Sequence, residues 1–268
     1  MMPVPILVYD HPLSPYGQKV KIALLEKGIA FDARLPNAIG SGSTESAFAR
    51  SNPRGEVPAL MDGDVSVYDS TIILEYIEDR WPEPALLPAT PAERARVRML
   101  EDVLDTHFEA ITWGLSEIRY FGRAPGALGE AMFRRGQEQI LGWYRWLADQ
   151  LGSREWFNGL AFGWGDLCVV PFVNSAVGFG VQPEGRLAQW LLRANERPSV
   201  RQCRLAAEPV SFANSGISLE AVKQAMDQGL FKREYRDHRL EWMIKTGGIE
   251  VVADGIARQN VRFMHVFD

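Results

Sequence analysis

Ser14 stands inside HPLSPYGQKVKIALLEKGI, residues 11–29, where a small hydroxyl side chain falls between an apolar run and a helical pattern. The start of a helix leaves N–H groups unpaired and carries the positive end of the peptide dipole, so it favours an anion. A serine there has two uses: it caps the helix, or it donates a hydrogen bond to a bound anion such as a thiolate. Tyr16 is the second hydroxyl candidate, although packing explains an aromatic inside a helix equally well. Asp69-Ser70 has similar potential, again just ahead of a helical pattern. The carboxylate suits an ammonium group, while the Ser70 N–H and hydroxyl suit a carboxylate, and together they fit the end group of an amino acid. Simple capping by Asp69 accounts for the pair as well.

The elements that must position these residues follow from periodicity. Pro5 to Asp10 reads as a buried strand, and Val20, Ile22, Ala23, Leu24 and Leu25 recur at helical spacing until Gly28 stops the helix. Ala30–Leu35 predicts a second strand, Glu45–Arg50 a short helix, and VPALMDGDVSVYD a hairpin around Asp62-Gly63. Ser70–Arg80 predicts a helix that ends before Trp81-Pro82. This β-α-β-α-β-β-α order defines an α/β domain over residues 1–84. The proline-punctuated stretch 82–91 reads as a linker. Beyond it, 92–120 and 129–150 show helical periodicity with no strand between them, so an all-α domain is expected over 85–217.

Composition bounds the function. With 268 residues, 46% of them hydrophobic, the chain has material for a packed core. The opening MMPVPILVYD has no basic leader, so neither a signal peptide nor an anchor is expected. No apolar run approaches the roughly 18 residues of a membrane helix, which places the expected chain in the cytoplasm without a membrane partner. A net charge of −5 gives no support to nucleic-acid binding. Cys168 and Cys203 are the only cysteines, and they lack metal-ligand spacing. Buried thiols are expected, with neither a disulfide framework nor a metal.

Order and spacing together resemble the glutathione transferase superfamily over about residues 5–210. Ser14-Pro15-Tyr16 with the basic helix behind it resembles the activating-serine motif of serine-type bacterial members. Asn52-Pro53-Arg54-Gly55-Glu56-Val57-Pro58 resembles the loop that ends in a cis-proline, and Asp69-Ser70 the pair that holds the γ-glutamyl end of glutathione. The resemblance implies a thioredoxin-like N-terminal domain followed by an all-α domain, with glutathione as co-substrate and no metal. It implies glutathione contacts from Arg54, Glu56, Val57, Pro58, Asp69 and Ser70, with Ser14 as thiol activator. Val57 would pair with the tripeptide as an added strand does. It further implies a homodimer, a hydrophobic electrophile as second substrate, and a pocket for it between the domains, with Pro15, Tyr16, His107, Ile111 and Trp113 as candidates. Phe162-Gly163-Trp164-Gly165-Asp166 resembles an interior capping motif, which assigns Asp166 a structural role.

Two features depart from the pattern. Glu56 stands where many relatives carry Lys or Gln near the glycyl carboxylate, and like charges repel; a solvent-facing Glu56 would cost little. The other is residues 218–268, which lie past the usual end of the helical domain. Ser218–Met243 reads as one helix, Gly247-Gly248 as a break, and Val251–Phe267 as apolar. Wrapping on the helical domain is expected of this extension; closure over the second-substrate site and a surface for a protein partner are the alternatives. The last admits a different function, a non-catalytic scaffold on the same fold, as in bacterial cell division. His238 is expected at a solvated helical position.

Overall fold

The computed structural model describes residues 6–36, 48, 52, 54–211, 214, 218–235 and 237–263. Strand β1 (Ile6–Tyr9) buries Ile6 and Val8, and β2 (Phe31–Arg34) lies parallel to it. Strands β3 (Ala59–Asp62) and β4 (Val65–Tyr68) form the hairpin around Asp62-Gly63, and β3 runs antiparallel to β1. The sheet order is therefore β2-β1-β3-β4. A parallel neighbour needs a crossover, supplied here by α1 (Pro15–Glu26), which is capped by Ser14, begun by Pro15 and followed by Gly28 at φ 68°. Helix α2 (Ser70–Arg80) covers the same sheet face, and Val20, Leu24, Leu60, Ile73 and Ile77 close the core between them. This mixed sheet with its helices is the thioredoxin-like arrangement. The short helix expected over Glu45–Arg50 falls almost entirely outside the described residues.

The expected linker is tied down. Lys27 donates to the carbonyls of Trp81 and Pro84, and the Glu78 carboxylate accepts from the Leu86 and Leu87 amides. Helix α3 (Pro91–Val103) follows, capped by Thr90, and runs through a π-helical turn (Leu104–Phe108) into α4 (Glu109–Arg119). Then come α5 (Ala127–Leu151), α6 (Trp164–Gly178), α7 (Gly185–Glu196) and α8 (Pro198–Ala207). Helix α6 is buried nearly all round, which its unbroken apolar sequence requires. Asp166 accepts from the amides of Phe157 and Gly163 and from the Trp190 indole at 2.7–3.2 Å. Burial pushes its carboxyl up to about 6, against those hydrogen bonds.

After α8 the chain departs from the expected long helix. Helix α9 spans only Leu219–Asp227, Gly229 at φ 70° ends it, and Arg233–Glu234 form β5. Helices α10 (Asp237–Thr246) and α11 (Ile249–Ala257) then lead to β6 (Val261–Arg262), which lies parallel to β5. The cause is a buried carboxylate: Glu117 of α4 takes Arg233 at 2.5 Å and the Tyr235 hydroxyl at 2.8 Å, drawing this stretch out of helix. Helix α10 packs on α4, with Trp242 seated against Gly114 and its indole donating to Gln139 at 2.7 Å. A methyl group on Gly114 would fall inside that indole ring. Gly114→Ala is therefore expected to cost about 1–3 kcal/mol through overpacking. Gly142→Ala on α5 meets only ordinary contact with Arg145 and should stabilise by roughly 0.5–1 kcal/mol. Denaturant midpoints of the two variants check the contrast, and equal shifts would refute the close approach.

Candidate active site

Ser14, the Gly55–Pro58 loop and the Asp69-Ser70 helix start line one cleft of about 1290 Å³ between the sheet end, α3–α4 and the C-terminal segment. Ser14 Oγ accepts the Gly17 amide at 3.2 Å, so Ser14 does cap α1. That contact uses a lone pair and leaves the hydroxyl proton for a ligand. Capping and anion binding are thus compatible. His11 beside it accepts the Leu13 amide on Nδ1 at 3.2 Å, and burial and the Lys21 charge lower its pKa, which keeps the ring neutral. Tyr16 is different: its hydroxyl donates to the Asp105 carbonyl at 2.6 Å, and burial, then the Glu109 charge, push its pKa well up.

The loop before β3 is shaped by Asn52, which is buried, donates to the Glu56 carbonyl and accepts the Arg54 amide at 3.0 Å. The Val57–Pro58 peptide is cis. Asp69 takes φ 74°, a region that non-glycine residues avoid and that clusters at functional sites. Its carboxylate caps α2 through the Thr71 amide at 3.1 Å and binds Arg54 at 2.9 Å. Ser70 is buried at the helix start and faces the cleft. Glu56 does not point away into solvent; it is half-buried in the cleft wall, close enough to Arg239 and Tyr16 for the charges to interact.

Below the cleft lies a buried charge cluster that periodicity hid. Lys19, fully buried on α1, bridges Glu101 at 2.6 Å and Asp105 at 2.5 Å. Thr71 donates to Glu101 at 2.9 Å, and the Trp164 indole to its other oxygen at 2.6 Å. Burial pushes the Asp105 carboxyl up to about 7, with Lys19 opposing and Glu101 adding. Asp105 Oδ1 is buried without a hydrogen-bond partner.

The candidates for the second pocket divide. Pro15, Tyr16 and Trp113 line the cleft, joined by Asp105, Glu109 and Thr112. His107 does not: it is exposed and stacks on Trp143 at 6.1 Å. Ile111 is also elsewhere, packed into the helical core against Gly136. The π turn inserts a residue and rotates every later side chain relative to a regular helix. His238 is a further correction, since it lines the cleft 3.5 Å from buried Glu109 instead of facing solvent. Arg239 grips Glu109 with two bonds of 3.0 and 2.6 Å. Burial alone would raise the Glu109 carboxyl, but the Arg239 charge and its two hydrogen bonds, with His238 close by, hold it down at about 2.

A family model described as "Glutathione S-transferase, N-terminal domain" matches residues 8–85. The "Probable glutathione S-transferase GSTU1" of Oryza sativa subsp. japonica is 31% identical over 214 residues, covering 73% of this chain and 87% of the relative. The chain belongs to the glutathione S-transferase family. The "Maleylacetoacetate isomerase" of Mus musculus is 32% identical over 179 residues, 65% of this chain and 80% of that protein. Among solved structures, "FzlA from C. crescentus" shares the fold at a TM-score of 0.66 and 25% identity, over 75% of this chain and 92% of its own. The glutathione transferase fold accounts for the mixed sheet, the helices behind it and the cleft between them. Among the described residues, no group of three or more His, Cys, Asp or Glu side chains is placed to hold a metal ion, and no helix is long and apolar enough to cross a membrane.

Proposed function

We propose that this glutathione transferase is a serine-type enzyme that activates the glutathione thiol for attack on an electrophilic carbon. The observation that carries the reading is the convergence of Ser14, the Val57 edge and the Asp69-Ser70 helix start on one cleft wall. Asp69 meets the γ-glutamyl ammonium and the start of α2 its carboxylate, while Val57 pairs with the cysteinyl backbone. The thiol proton leaves to solvent, and the thiolate rests on the Ser14 hydroxyl at the N-terminus of α1. A free thiol has a pKa near ~8.5, and these two interactions favour the thiolate by about one to two units. The sulfur then forms a bond to carbon while a leaving group departs or a conjugated π bond accepts the electron pair. The aromatic walls, Trp113, Tyr120, Phe121 and Phe179, suit a small hydrophobic electrophile. A cytoplasmic homodimer completes this reading.

Calorimetric titration with glutathione tests it. Micromolar-to-millimolar binding is expected, weakened about tenfold in Ser70→Ala through loss of one charge-assisted hydrogen bond. No heat at millimolar glutathione would overturn the enzyme reading. It would favour the scaffold, which Glu56 in the cleft wall supports, and a protein partner would then be sought for residues 218–268.

A further inference from the structure

Glutathione carries two carboxylates, and the start of α2 serves only the γ-glutamyl one. In an extended tripeptide the glycyl carboxylate lies at the far end and needs a cation beside the Val57 edge. Glu56 stands there instead, and its charge opposes a carboxylate. Two cations of the cleft are turned to other carboxylates: Arg54 binds Asp69 at 2.9 Å, and Arg239 makes a two-bond pair with Glu109.

Arg262 is paired as well, with Glu234, but through one terminal nitrogen, which leaves further donors. It reaches the loop from β6, with Nη1 4.0 Å from where a Cβ on Gly55 would sit. Nη2 lies 2.7 Å from Glu234, while Nε is buried and has no hydrogen-bond partner. The side chain is 14% exposed and lines the cleft together with Glu56, Val57 and Pro58. Its backbone is fixed on both sides: the Tyr235 amide donates to the Arg262 carbonyl at 3.1 Å, and Arg123 clamps neighbouring Asn260 with bonds of 2.6 and 2.9 Å. Arg123 and β5 in turn sit on buried Glu117. A guanidinium held this way loses little freedom when it takes a ligand.

We propose that Arg262 binds the glycyl carboxylate of glutathione, so that the C-terminal segment supplies the cation that the loop before Val57 lacks. This assignment rests on the glutathione reading above. It also gives the C-terminal segment a place in the co-substrate site, beyond covering the helices.

Three ligands separate the possibilities: glutathione, γ-glutamylcysteine, which lacks the glycine, and glutathione esterified at the glycyl carboxylate. By calorimetry, the wild-type protein should bind glutathione about tenfold more tightly than either of the other two, the worth of one charge-assisted pair. Arg262→Ala should bind all three alike, at the wild-type affinity for γ-glutamylcysteine, and Arg262→Gln should do the same while keeping a hydrogen bond to Glu234. Equal binding of the three ligands by the wild-type protein would overturn the proposal using the native chain alone. So would a tenfold preference that survives in either variant. If γ-glutamylcysteine binds and the preference is absent, Arg262 fails and the glutathione reading stands; if no ligand binds, both fail.

Discussion

Ser14→Ala is expected to lower kcat/KM at neutral pH by up to about threefold and to move the acidic limb of its pH profile up by the hydroxyl's share of the one- to two-unit shift. The shift follows from the hydroxyl proton, which capping leaves free for the thiolate. Without that donor the bound thiol returns toward its ordinary pKa near ~8.5, so the thiolate fraction at pH 7 falls at most about 8- to 25-fold. The more basic thiolate is also the better nucleophile, with a Brønsted slope of ≈ 0.4–0.5, which restores about half of the loss on a logarithmic scale. Above the new inflection, where both thiols are fully ionised, Ser14→Ala should therefore match or exceed the wild-type enzyme. Losing the cap costs about 1 kcal/mol in Ala but only a few tenths in Gly. Ser14→Gly thus separates chemistry from stability: it should share the displaced profile with a near-normal melting temperature. An unmoved inflection in both variants would remove Ser14 from the mechanism.

That the Ser14 site was visible in sequence at all reflects how local it is. A cap, a proline at the first helical position, and an acid-serine pair at a helix start are decided by neighbours within four residues, so spacing alone reveals them. The sheet is legible for the same reason, its hairpin turning on Asp62-Gly63. Longer-range contacts leave no such trace. Arg239 and Glu109 are separated by 130 residues, and Arg233 and Glu117 by 116, so a sequence shows only charges on amphipathic helices. Lys19 and Lys21 read as a basic helix face, yet both are buried, Lys21 against Asp10. His107 and Ile111 were misplaced for a sharper reason. Periodicity over 94–120 does not say which face points into the cleft, and the π turn, which contains His107, shifts Ile111 beyond it out of regular helical register. The stretch 218–243 failed as a single helix because Glu117, far off in the chain, competes for Arg233 and Tyr235.

The largest expected effect on stability belongs to Lys19. Lys19→Met leaves the Glu101 and Asp105 carboxylates facing each other with no cation, and breaking a buried pair costs about 3–5 kcal/mol. Asp105→Asn should behave in the opposite way. It keeps the Lys19–Glu101 pair and removes a carboxylate that burial raises to about 7 and that has one oxygen without a partner. The sign follows from linkage. An acid whose folded pKa lies above its unfolded value binds more protons in the native state, so its stabilising contribution is complete below the unfolded pKa, near ~3.9, and is lost as pH rises through about 7. The difference in unfolding free energy between Asp105→Asn and wild type should therefore grow in the variant's favour from mildly acid to neutral pH and level off above it. Chemical denaturation of both variants across that window checks this. A constant difference would mean that Asp105 does not titrate there, and a loss in Asp105→Asn as large as in Lys19→Met would show that the three charges act as one indivisible unit. The cluster joins α1, which presents Ser14, to α3 and the π turn, which form the opposite cleft wall. Its cost at neutral pH is consequently borne at the seam where the two halves of the site must hold their spacing.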